Sequence, residues 1–158
     1  MPLKPELLAR GPWNPSQVEI RWRPDPFEAD AGKEAEADLV LNGLRERGSP
    51  SHDGLAARLV SYEATDGVLR LELQPIRWAL RLVSDADSSI SALCIVRAVD
   101  GSWLAGHRAD WVASWAGRWA LGAGGSVEVD ENPADTLARE LEEEWSVRPD
   151  RLQIEALV

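Results

Sequence analysis

Glu140, Glu143 and Glu144 stand at positions i, i+3 and i+4 of the stretch that follows Asn132, and that stretch has the spacing of a helix. At 3.6 residues per turn the three carboxylates share an arc of roughly 100°. The arc borders the apolar stripe of the same helix instead of opposing it, while Glu142 points away to solvent. Carboxylates held together beside a packed surface are costly unless something positive compensates them. A hard divalent cation, which prefers oxygen ligands, is the natural compensation. The competing reading is a solvated acidic face, which is what most charge runs are. Exposed helices, however, interleave Lys or Arg at i+4, and this one offers only Arg139 inside and Arg148 beyond its end.

The elements that must hold these groups are legible nearby. Asn132-Pro133 is a helix start, with Asn as N-cap, Pro at the first helical position and Asp135 in the first turn. Ala134, Leu137, Ala138, Leu141 and Trp145 then recur at helical spacing and form the expected buried stripe. Before the helix lies the Gly-rich turn RWALGAGG, whose backbone can approach a ligand closely. Further upstream, ISALCIVRA is expected to be a strand, Asp100-Gly101 a turn and WLAGHRA the return strand, followed by a loop over 110–118. In the first part of the chain, Val18, Ile20 and Trp22 alternate with polar residues as in a half-buried strand. Ala29 to Arg47 favours a helix, and Asp66-Gly67 turns a hairpin. Residues 1–83 are thus a strand-helix-hairpin extension, 84–89 a polar joint and 90–158 a second domain carrying the acidic helix.

Bulk properties narrow the partners. A net charge of −10 over 158 residues excludes a nucleic-acid polymer bound through its phosphates, which requires a basic footprint. No stretch has the length and apolarity of a signal peptide or a membrane span, and Cys94 stands alone, so a soluble cytoplasmic protein without a membrane partner is expected. Eight tryptophans are many for this length. Trp13, Trp22, Trp78, Trp103 and Trp119 are read as core and loop packing. Trp111 and Trp115, in the loop near the Gly-rich turn, and Arg108 at its start are candidates to meet a substrate. Cys94 is read as a core thiol, and His52 and His107 receive no role.

Residues 125–147 resemble the signature of the Nudix hydrolases: Gly, five residues, Glu, seven residues, Arg-Glu, an apolar residue, any residue, Glu-Glu, any residue, Gly, apolar. Gly125, Glu131, Arg139, Glu140, Leu141, Glu143, Glu144 and Val147 match it. The resemblance covers about the last seventy residues. It implies an α/β (α+β) fold, with a Nudix-type mixed sheet and the motif helix packed on it. It further implies that Glu140, Glu143 and Glu144 bind Mg²⁺ or Mn²⁺ beside the Gly125 backbone, and that one of these carboxylates orients or deprotonates the attacking water. Arg139 would pair with Glu131 and brace the loop. The implied activity is metal-dependent pyrophosphohydrolysis of a nucleoside diphosphate linked to another moiety, of ADP-ribose or nucleotide-sugar type. The alternatives are a catalytically inactive Nudix-fold binding module and, further down, an isoprenoid diphosphate isomerase-like enzyme, for which Cys94 lies in the wrong context.

Departures from the signature carry their own expectations. Ser146 replaces its last Gly, where a helix often ends in a left-handed residue, at a local cost of about 1 kcal/mol. Asp130 stands where many members have Gly, and Ala123 where many have Pro. Few residues follow Val147, so the C-terminal part of a Nudix domain is expected to be absent, with residues 1–158 a poor catalyst alone and prone to self-associate as a homodimer through the uncovered sheet edge and helix face.

Overall fold

A computed structural model describes residues 6–50, 52–83 and 89–158. The polar joint expected at 84–89 falls outside these residues except for Ser89.

The chain opens with a strand that sequence periodicity did not announce, β1 (Ala9–Trp13). After it, β2 (Val18–Trp22) follows the expected alternation: Val18 is buried, Ile20 and Trp22 half-buried, and Glu19 and Arg21 exposed. Next comes α1 (Ala31–Glu46), where the Asp30 carboxylate accepts from the Gly32 and Lys33 N–H groups at 2.9 and 3.0 Å. This satisfies donors that the first helical turn leaves without partners. β3 (Leu55–Thr65) and β4 (Val68–Arg77) form the hairpin turned by Asp66-Gly67. Both turn residues have positive φ, 52° and 72°, which matches the twist of the flanking strands. β2 lies parallel to β4, with Val18 opposite Leu69 and Trp22 opposite Leu73, so the three strands make a mixed sheet ordered β2-β4-β3.

In the second half the strands are short: β5 (Ser91–Leu93), β6 (Ala105–His107), β7 (Trp119–Leu121) and β8 (Gly124–Ser126). β5 pairs antiparallel with β8, and β6 with β7. α2 (Pro133–Trp145) packs on β8 and β5, and β9 (Ile154–Leu157) runs antiparallel to β1.

The two halves share one core. Trp13, Val18, Leu69, Leu71 and Leu73 pack in the same buried cluster as Ala92, Val127, Leu137 and Leu157. Backbone bonds run between them, from Ala57 N–H to the Val127 carbonyl (2.8 Å) and from Ile90 N–H to the Ala57 carbonyl (3.0 Å). A second cluster lies under α1, where Ala37 and Leu41 meet Ala56, Ile76, Ala79 and Leu80.

Three expectations need correction. ISALCIVRA is not one long strand: β5 ends at Leu93, and Leu93 and Ile95 are 70% and 66% exposed. Its alternate side chains find no cover on the face opposite α2, so apolar composition did not translate into a buried strand. Trp103 and Trp119 are 55% and 73% exposed and thus are not core, although His107 meets the Trp119 ring edge-on at 5.5 Å. On α2, Ala138 is exposed and Trp145 only half-buried. The buried stripe is instead Ala134, Thr136, Leu137 and Leu141, with Thr136 fully inaccessible.

Candidate functional site

α2 is fixed at its start by Asn132, whose side chain accepts from Ala134 N–H (2.9 Å) and donates to the Val18 carbonyl in β2 (3.0 Å). One residue thus caps the helix and pins it to the first half. Thr136 explains its own burial: its hydroxyl donates to Glu131 at 2.6 Å, so a polar atom enters the core already satisfied. At the other end Ser146 takes the left-handed conformation, φ 54° and ψ 35°, and its N–H still reaches the Glu142 carbonyl at 2.9 Å.

Arg139 organises the middle of the site. Its Nε and Nη2 donate to the two oxygens of Glu131 at 2.9 and 3.1 Å, a bidentate pair across eight positions of sequence. Its Nη1 donates to Glu140 at 2.8 Å and, more weakly, to Glu143 at 3.4 Å, while Nη2 also reaches the Ser126 carbonyl. Burial works to raise the Glu131 carboxyl pKa, but hydrogen bonds from Arg139, Thr136 and the Glu128 N–H outweigh it and hold it below the usual value. Glu131 is therefore an anion at neutral pH that fastens the loop to the helix. The guanidinium also answers part of the charge on the acidic arc, since Glu140 and Glu143 have a basic partner after all. Glu142, on the far side, pairs with Arg148 at 2.6 Å in solvent.

Gly125 shows how tightly the loop is pressed to the helix. A Cβ at this position would overlap the Glu140 carboxylate, so only glycine lets that side chain lie flat on the β8 backbone. Glu144 differs from its neighbours. Its carboxyl is pushed upward, first by loss of solvent around it and then by the charges of Glu140 and Glu143, with Arg108 opposing. Desolvation leads, and like charge gathered without full compensation adds to it.

The donor set fits a divalent cation in kind: three hard oxygen donors on one arc, one of them strained by its neighbours, beside a backbone with no side chain. Among the described residues no three His, Cys, Asp or Glu side chains converge on a single point as folded. Arg139 holds two of the three carboxylates, Glu140 and Glu143.

A cavity of about 400 Å³ opens beside this network, a volume suited to a small ligand. One wall is acidic and comes from α2 and its loop: Glu128, Glu140 and Glu143, with Arg139 between them. The rest of the lining comes from Ser126 and from the first half of the chain: His52, Gly54, Leu55 and Trp78. Neither His52 nor Trp78 carries a local sequence signal, because each belongs to the site only through tertiary contact. Trp111, Trp115 and Arg108 do not line this cavity. Trp111 and Trp115 stand out from the 108–118 loop, 42% and 66% exposed, and Arg108 Nε donates to the Ser114 carbonyl at 3.1 Å, closing that loop.

With the cap, the carboxylate arc and the Gly125 approach in place, the family follows. Residues 87–157 match the model of the NUDIX domain. This segment is a NUDIX domain. That match supports pyrophosphohydrolysis of a small molecule, chemistry for which Nudix enzymes generally use divalent metals. No curated protein and no solved structure matches the chain. Among the described residues no helix is long and apolar enough to cross a membrane.

Proposed function

We propose that the protein is a metal-dependent hydrolase that cleaves the diphosphate of a nucleoside diphosphate linked to a second moiety, of ADP-ribose or nucleotide-sugar type. The observation that carries the reading is one cavity lined both by carboxylates, Glu128, Glu140 and Glu143, and by the ring-bearing residues His52 and Trp78. Glu140, Glu143 and Glu144 would hold Mg²⁺ or Mn²⁺, which when bound neutralises the diphosphate and lowers the pKa of the attacking water.

The chain's own residues do the rest. Glu140 is set against Gly125 and cannot swing toward the loop. Glu144, whose carboxyl binds a proton more readily than usual, would be the group that accepts the proton of an attacking water, although it does not itself line the cavity. Arg139 is engaged by Glu131, Glu140 and Glu143, so its role is to hold the loop and the carboxylates in register and not to contact substrate. The first half closes the cavity opposite and restricts how a diphosphate can lie, which is the larger part of catalysis when in-line attack at phosphorus depends on positioning.

The test is calorimetric and chemical. Mn²⁺ is titrated into the parent and into the Glu143→Gln, Glu144→Gln double variant, and a panel of nucleoside diphosphate compounds is incubated with each. The parent should bind Mn²⁺ and release two phosphorylated fragments, and the double variant should do neither. Equal Mn²⁺ binding by both proteins removes the assignment of the metal. Binding without turnover of any compound leaves a ligand-binding module.

A further inference from the structure

The ring-bearing wall of the cavity is built, not incidental. Asp53 and Gly54, which follow His52, are fastened to residues 77–79 by three hydrogen bonds. Trp78 N–H donates to the Gly54 carbonyl at 2.8 Å, Ala79 N–H to Asp53 Oδ1 at 3.0 Å, and Arg77 Nε to Asp53 Oδ2 at 2.6 Å. Arg77 is itself clamped by Glu34 and Asp38 of α1, so the fastening continues into the second core cluster. Gly54 leaves room for the His52 imidazole to fold back: a Cβ there would lie 3.2 Å from its Nδ1. Trp78 is half-buried, and the Arg81 guanidinium stacks over its ring at 5.2 Å, which limits its rotamers. Two residues with ring side chains thus line the same cavity as the Glu140 and Glu143 carboxylates.

From this arrangement we infer that His52 and Trp78 form the subsite for the nucleobase of the substrate, with the base stacked on the Trp78 indole and its polar edge at His52. The inference rests on the hydrolase reading above and deepens it. The charge distribution sorts the ligand. Phosphates belong beside Glu140 and Glu143 once a cation is present, and the neutral ring belongs at the wall that has no carboxylate. A sugar would stack through its C–H groups, which seek an electron-rich face. Arg81 draws on the π density of Trp78, so the stack favours a flat heteroaromatic ring over a sugar. Trp78 and His52 are specificity-determining residues in this proposal and take no part in the bond cleavage.

The experiment labels the protein with 5-fluorotryptophan and follows ¹⁹F resonances, with the Trp78 peak assigned by its loss in Trp78→Phe. AMP, UMP, ribose 5-phosphate and glucose 1-phosphate are titrated separately, so no turnover is needed. AMP or UMP should shift the Trp78 peak saturably. The two sugar phosphates should bind weaker by about fivefold or more, the least that one base stack represents. His52→Ala, which leaves the fastening through Asp53 and Gly54 intact, should weaken the nucleotide shift while the remaining peaks stay in place. A Trp78 peak that ignores both nucleotides, or moves equally with the sugar phosphates, overturns the proposal. If the nucleotides shift Trp78 but the protein hydrolyses no diphosphate, the base subsite stands and the hydrolase reading fails. If diphosphates are hydrolysed while Trp78 stays silent, the reverse holds.

Discussion

Replacing Arg139 by Ala tests the structural role assigned to this residue. The guanidinium makes a bidentate pair with Glu131 and a further hydrogen bond to Glu140, and the side chains of the three residues are 27%, 16% and 14% exposed. Breaking a fully buried pair by removing one partner costs about 3–5 kcal/mol, whereas an exposed pair is worth about 0–1 kcal/mol. With Arg139 still partly in water and Thr136 still bonded to Glu131, the loss should be about 2–3 kcal/mol at pH 7. For a chain of this size that lowers the melting temperature by roughly 5–10 °C. The pH dependence is the sharper test. In the parent, Glu131 has a depressed pKa, so its contribution is present above the unfolded carboxylate value of 4.5 and is lost as pH falls through the lower folded value. In Arg139→Ala the depressing partner is gone and burial pushes the Glu131 carboxyl up, so the variant recovers stability relative to the parent as pH falls below about 5. Urea denaturation of both proteins at pH 7 and pH 4.5 measures this directly. A difference that is absent at pH 7, or equally large at both pH values, would refute the assignment. Lost turnover with an unchanged denaturation midpoint would instead make Arg139 a substrate contact.

Three further outcomes are expected. Ser146→Gly should raise stability by about 1 kcal/mol, read as a higher denaturation midpoint with unchanged m-value, because Ser146 sits at φ 54° where glycine pays no steric penalty. Gly125→Ala should fold nearly as well as the parent, since the atom its Cβ meets is the end of a flexible side chain; it should bind Mn²⁺ on the order of tenfold more weakly in calorimetry, because Glu140 is displaced. Glu144→Gln should melt slightly higher than the parent at pH 7, by a few tenths of a kcal/mol, since the folded protein disfavours this charge. The sign follows from a raised folded pKa: the protonated form is the favoured one, so the gap should close as pH falls and Glu144 takes up its proton.

What the sequence by itself determined is local. Asn132-Pro133 dictates where α2 begins, the spacing of Glu140, Glu143 and Glu144 dictates their shared arc, and Asp66-Gly67 dictates a hairpin; each depends on residues within one or two turns of chain. The left-handed end at Ser146 was likewise expected, because a helix terminus is closed by its own backbone. Tertiary structure decided whatever required distant residues to meet. It paired β1 with β9 from the two ends of the chain, left Leu93, Ile95, Trp103 and Trp119 in solvent despite their apolarity, and buried Thr136 because Glu131 was there to accept its hydrogen bond. It also gave Arg139 three more carboxylates than the pairing with Glu131 implied, Glu128, Glu140 and Glu143. Above all, it brought His52 and Trp78 from the first half into one cavity with Glu140 and Glu143. Neither residue has a periodic or spaced partner in sequence. Their approach is set by the hydrogen bonds of Asp53 and Gly54 to residues 77–79 and by a core that both halves fill.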